Sequence, residues 1–281
     1  MASLSIRRTL RSSFVFSVRD IGKVLSRVLL PSILGGAMLY TLGIAYIAEL
    51  DRFLAHHDER SASLVLALAG GGLLILLFLH AVVVTGVISL VLGKPRTHGW
   101  NWFHVALPEW RVYAGLLRLV VIAGILVTGG EGVRVLLLRL GVDPIFGYIS
   151  QLLILLLLVW LTIRLGFFIG PVGVDRETGQ LVGRAWEVSS LDFWRIAAIG
   201  VVCLIPGIAF YLLGEYCLRV TGLIAIPQSV RTLTDVAGVL HSMLITLVVL
   251  ISITYLFCAI PLSAAAAFAY RDLVRAGAPE R

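Results

Sequence analysis

The chain has 281 residues, 59% of them apolar and 14% charged, with a net charge of +7 and a mean hydropathy of +0.99. That balance excludes an ordinary soluble globular domain, because several runs are long enough to cross a hydrocarbon core of about 30 Å. The excess of cations is not a nucleic-acid footprint either, since no basic patch is interleaved with base-stacking aromatics.

The N-terminal arm, SIRRTLRSSF, has a faint twin-arginine look. No small-residue cleavage site follows at a sensible distance, and the apolar run after Val28 is long enough to span, so the arm is expected to be retained. Phe14, Val18, Ile21, Leu25 and Val28 recur at spacings of four and three, on one helical face. Arg19, Asp20, Lys23 and Arg27 lie off that stripe, which predicts a helix at the membrane surface with its cations toward anionic headgroups.

Apolar runs follow near 28–49, 63–92, 113–129, 145–170, 194–214 and 236–269. The third is the weakest: Arg118 sits near its start, and Gly129-Gly130-Glu131 is expected to interrupt it, leaving Leu136 to Gly141 as a short outer helix. The last run would make a helix of about 50 Å, so it must tilt, kink or protrude. Pro261 is the expected kink there, and Pro206 in the fifth span. The predicted fold is all-α, a polytopic transmembrane bundle forming a single domain over 1–281. It comprises a cytoplasmic arm and interfacial helix at 1–27, six spans within 28–270, and a cytoplasmic tail at 271–281.

Lys and Arg sort between alternate connections, with 17 of the 23 on one side. The positive-inside rule then places both termini in the cytoplasm, and the net charge is a topology signal. Three segments share one grammar: an amphipathic stretch, an odd-numbered span, an outer loop, and a longer even-numbered span ending in cations. EWRVYAGLLRLVVIAGIL and DFWRIAAIGVVCLIPGIA open alike, and the even spans end GKPRTHGW, VDRETGQL and YRDLVRAG. Glu109 and Asp192 would sit in a first helical turn, where the helix dipole favours an anion, with Ser190 as an N-cap. Trp110, Trp186, Trp194 and Arg195 are expected to anchor the chain at the interface. The expected architecture is a threefold run of surface-helix-plus-hairpin units.

Gly200, Gly207 and Gly214 recur every seven residues, and with the run Ser263 to Ala267 they predict close helix packing. Cys203, Cys217 and Cys258 have no paired spacing, which argues against a disulfide framework or a CxxC metal site.

An arginine inside an apolar run, a proline, and then a surface helix make up the stretch from Arg164 to Arg195. Arg164-Leu165, Pro171, Ala185-Trp186, Ser189 and Trp194-Arg195 resemble a broad bacterial family of six-span proteins. That family includes the membrane domain associated with glycerophosphoryl diester phosphodiesterases and the YciC-like inner-membrane proteins. The resemblance is best over 155–205 and extends loosely to AAAAFAYRDL. It implies six spans in a bacterial inner membrane. It does not carry phosphodiesterase activity, because nothing here looks like that enzyme's soluble barrel.

Arg164 has two readings. It snorkels to the interface, or it faces a cavity between helices and binds a phosphate headgroup there, with Arg118 as partner. Gly170-Pro171 is expected to break the fourth span, and Gly170, Pro171 and Pro206 are the candidate hinges. His80, inside the second span, reads as a hydrogen bonder between helices rather than a proton relay. His56-His57-Asp58-Glu59 is the one dense cluster of metal-ligand types, but adjacent histidines cannot supply the paired face of a zinc helix. No catalytic residue, metal or cofactor is assigned. No carboxylate pair lies at mid-depth, where a proton- or sodium-coupled pump needs one.

The leading expectation is therefore a non-enzymatic integral membrane protein of envelope or lipid homeostasis. Its partners would be membrane lipids, with a membrane protein or a second copy as further possibilities, and no nucleic acid. The alternatives are a transporter or channel for a small or lipidic anion, lined by Arg164 and Arg118, and an enzyme acting through the HHDE cluster.

Overall fold

The computed structural model describes residues 4–56, 59–94, 106–175, 180–221 and 233–277, and contains no strand among them. The helices are α1 (Ile6–Arg19), α2 (Ile21–His56), α3 (Glu59–Val91), α4 (Leu107–Arg139), α5 (Pro144–Leu161), α6 (Phe167–Val174), α7 (Leu181–Ser190), α8 (Phe193–Val220) and α9 (Leu233–Gly277). A π-helical turn, Thr162–Gly166, joins α5 to α6. Six segments are long and apolar enough to cross a membrane: Ile21–Leu54, Glu59–Val91, Leu107–Arg139, Ile145–Val174, Phe193–Val220 and Met243–Val274. The chain is an all-α, six-span integral membrane protein.

The spans pack as three hairpins, α2 on α3, α4 on α5, and α8 on α9. The even spans form the inner layer, with α3, α6 and α9 in mutual contact. Each odd span lies outside, between two even ones: α2 against α3 and α9, α4 against α3 and α6, and α8 against α9 and the π turn. Small side chains and close fit hold such a core, because lipid tails are as apolar as the core itself. Ala264 to Ala267 are buried, as are Phe168, Ile169, Ile196 and Ile199.

Packing is dense toward the face where α1 begins and α9 ends, called the terminal face here. Toward the opposite face the bundle loosens, and Leu152, Leu153, Leu155 and Leu156 of α5 are exposed to the hydrocarbon.

Three expectations change. The third span is not interrupted, because α4 runs unbroken through Gly129-Gly130-Glu131. A Cβ on Gly130 would lie 2.2 Å from Ile154 Cδ1, so the glycine admits α5 rather than ending the helix. Glu131 accepts from Arg134 Nε at 2.9 Å and from the Gln151 side chain, tying the hairpin together. Gly170-Pro171 does not break the fourth span either. The chain stays helical through Pro171, and likewise through Pro31, Pro206 and Pro261. The departure from α geometry comes earlier, at the π turn.

The stripe from Phe14 to Val28 is likewise not one surface helix. The chain turns at Asp20, ending α1 and starting α2. The buried residues of α1 are Thr9 and Ser13, while Val18 is 77% exposed. Ser13 Oγ donates to the Pro261 carbonyl at 3.1 Å, and Ile6, Leu10 and Phe16 pack beside it on the core, which turns Val15 and Val18 outward.

At the terminal face, the ends of all three even spans meet. Gly93 adopts a left-handed φ of 66° just past α3, and Lys94 then pairs with Asp175 at the end of α6. Tyr270 of α9 donates its hydroxyl to the other oxygen of Asp175 at 2.9 Å. One carboxylate therefore joins the second, fourth and sixth spans.

Candidate functional site

Arg164 lies in the π turn. An extra residue in a turn rotates the helix by about 100° relative to an unbroken α register. Trp160 and Arg164 face α7, while Val159, Thr162, Ile163 and Gly166 face a cavity between the spans. The Arg164 guanidinium carbon stands 3.8 Å from the Trp186 ring centroid and 5.1 Å from that of Trp160. The two indoles are themselves edge-to-face at 5.3 Å, and Phe193 at the start of α8 adjoins Trp160 at 6.4 Å.

A guanidinium lying over a ring keeps its N–H donors in its own plane. Arg164 Nε is buried with no hydrogen-bond partner, and no carboxylate pairs with the side chain among the described residues. The cation is therefore held over Trp186 and beside Trp160 by contacts worth about 0.5–2 kcal/mol each, and no carboxylate compensates it among the described residues.

Arg118 does not join this site. It is exposed on α4, and no hydrogen bond, ion pair or ring contact links it to Arg164 among the described residues. Its neighbour Leu119 packs at 3.7 Å from where a Gly166 Cβ would lie.

Trp110 is 53% exposed and packs against Phe78 and Tyr113. Trp194 is 81% exposed at the first turn of α8. Arg195 holds the N-terminal segment: it donates to the Leu4 carbonyl at 3.1 Å and pairs with Asp192 at 3.3 Å. Asp192 accepts the Leu4 N–H at 3.0 Å and is itself the N-cap of α8, the place expected for Ser190. Glu109 is buried and accepts the Ala106 N–H at 3.0 Å at the start of α4.

Of the candidate hinges, Gly170 is a contact point, because a Cβ there would meet Ile88 Cδ1 at 2.5 Å. His80 Nδ1 lies 2.7 Å from the Tyr255 hydroxyl, joining α3 to α9. The HHDE cluster lies largely outside the described residues, which leave out His57 and Asp58 and the side chain of His56.

The cavity has a volume of about 430 Å³ and reaches all of α3, α4, the fourth span, α8 and α9. Its lining is apolar apart from His80, Thr162 and Ser263, and neither Arg164 nor Arg118 is part of it.

Sequence reasoning missed Trp160 as a partner of Arg164, although its spacing of four residues places the two on one helical face. It also missed the Lys94–Asp175–Tyr270 cluster, whose members come from the three span ends it had aligned. No protein-family model, curated protein or solved structure matches this chain.

Proposed function

We propose that this is a non-enzymatic integral membrane protein of envelope or lipid homeostasis, with Arg164 as a ligand for a phospholipid headgroup. The observation that carries the reading is the stacked Arg164 guanidinium with its unpartnered Nε. A phosphate oxygen at that guanidinium supplies a charge-assisted acceptor and the counter-charge that no carboxylate provides among the described residues. The resemblance of 155–205 to the six-span inner-membrane family agrees with the same assignment. The transport alternative draws no support from the cavity, whose lining holds no cation.

Native mass spectrometry after detergent-free extraction tests this directly. The parent chain is expected to retain phospholipid. Arg164→Leu should retain on the order of ten- to a hundredfold less, the equivalent of losing one charge-assisted hydrogen bond. Arg164→Lys should fall between, keeping the charge but not the flat stack. Equal retention by all three chains would refute the headgroup site. A protein that stays bound to all three would favour a scaffold.

We also infer that both termini are cytoplasmic, from the sorting of the cations. In a cysteine-free background, a membrane-impermeant maleimide added to intact cells should spare Ser5→Cys and label Arg60→Cys. The reverse pattern would invert the topology.

A further inference from the structure

α8 meets the fourth span at the π turn, where Trp160 and Phe193 touch. Further from the terminal face, α5 and α8 stand apart. Leu155 on α5 and Val201, Ile205 and Ile208 on α8 are each more than half exposed. This seam leads into the cavity, with Val159 and Thr162 on one lip and Gly200 and Leu204 on the other. Nothing lies within 4 Å of where a Gly200 Cβ would be, so the glycine leaves the opening wide.

The seam has unlike ends. At the terminal face it is closed by the Trp160, Trp186 and Phe193 rings around a cation that no carboxylate pairs with among the described residues. Behind them it is an apolar slot facing hydrocarbon. A cation at the interface with an apolar slot running inward matches the two chemistries of one phospholipid.

The cavity offers about 430 Å³ with an almost wholly apolar lining, which suits a hydrocarbon chain.

We infer that the seam between α5 and α8 admits one acyl chain of the phospholipid whose headgroup is held at Arg164. The inference rests on the headgroup reading above and adds the tail site to it. The π turn serves both halves, turning Arg164 toward the rings and Thr162, Ile163 and Gly166 toward the slot.

The test reconstitutes the full chain in phosphatidylethanolamine–phosphatidylglycerol vesicles. These contain a trace of phosphatidylglycerol bearing a diazirine near the end of one acyl chain. After illumination, labelled peptides are mapped by mass spectrometry. Labels are expected on buried residues that line the slot, Ile196, Ala259, Ser263 and Ala266, which lipid outside the bundle does not touch. Gly200→Trp, at a lip position where an added Cβ meets nothing within 4 Å, should reduce those labels about tenfold or more while the retention difference at Arg164 persists. Leu204→Trp serves as a second plug should the first variant fold poorly.

Labels confined to outward residues such as Leu152 and Leu212, unchanged by either plug, would overturn the tail site and leave the headgroup reading standing. Slot labelling with no retention difference at Arg164 would overturn the assignment of both halves to one lipid.

Discussion

Gly207→Val should destabilise the protein by about 3 kcal/mol or more, the upper end of overpacking a close-fitted core. A Cβ at this position would lie 2.0 Å from Cys258 Sγ and 3.3 Å from both Cys258 Cβ and its backbone nitrogen. The thiol can rotate away, but the backbone of α9 can yield only if the two helices separate. Gly200→Ala, seven residues earlier, should be neutral or stabilising by up to about 1 kcal/mol, since it meets nothing and removes a helix-weakening glycine. Thermal unfolding of the two variants in the same detergent decides the point. Equal losses would mean that α8 does not sit on α9 as described.

Asp175→Ala should cost about 2 kcal/mol, because it strips a charged acceptor from both Lys94 and Tyr270. Lys94 and Asp175 are each about one-third exposed or less, so screening reduces the ion-pair part and the hydrogen bond from the buried Tyr270 carries more of the effect. Hydrogen exchange should rise at the terminal-face ends of α3, α6 and α9 together, since the carboxylate is common to all three. Tyr270→Phe should cost about 1 kcal/mol. In the double variant the two losses should add to less than their sum, as contacting residues do. Full additivity, with exchange rising in one helix alone, would show that the cluster does not couple the spans.

The glycine pair shows where reading along the chain stops. A seven-residue repeat of Gly200, Gly207 and Gly214 predicts one packing face, and two of the three obey. Gly207 and Gly214 meet Cys258 and Leu250 of α9, whereas Gly200 lines the slot. Arg164 teaches the same lesson. Its place inside an apolar run offered an anchor or a cavity-facing cation; the structure places the guanidinium over Trp186 of α7 with Trp160 beside it, outside the cavity lining. The partner expected for it, Arg118, is exposed on α4 without contact to it.

The sequence by itself determined the class, the number of spans and the sorting of cations between the two faces. Each depends on a quantity that is linear along the chain: the length of an apolar run measured against the thickness of the hydrocarbon, and the charge of each connection. Tertiary structure alone decided which faces meet. In a soluble helix, an apolar stripe marks the buried side. In these spans the lipid-facing side is as apolar as the core, so no period reports rotation about the helix axis. The slot beside α8, the rings around Arg164 and the carboxylate that joins three span ends all depend on that rotation. The π turn at Thr162–Gly166 resets it in the middle of an otherwise featureless run.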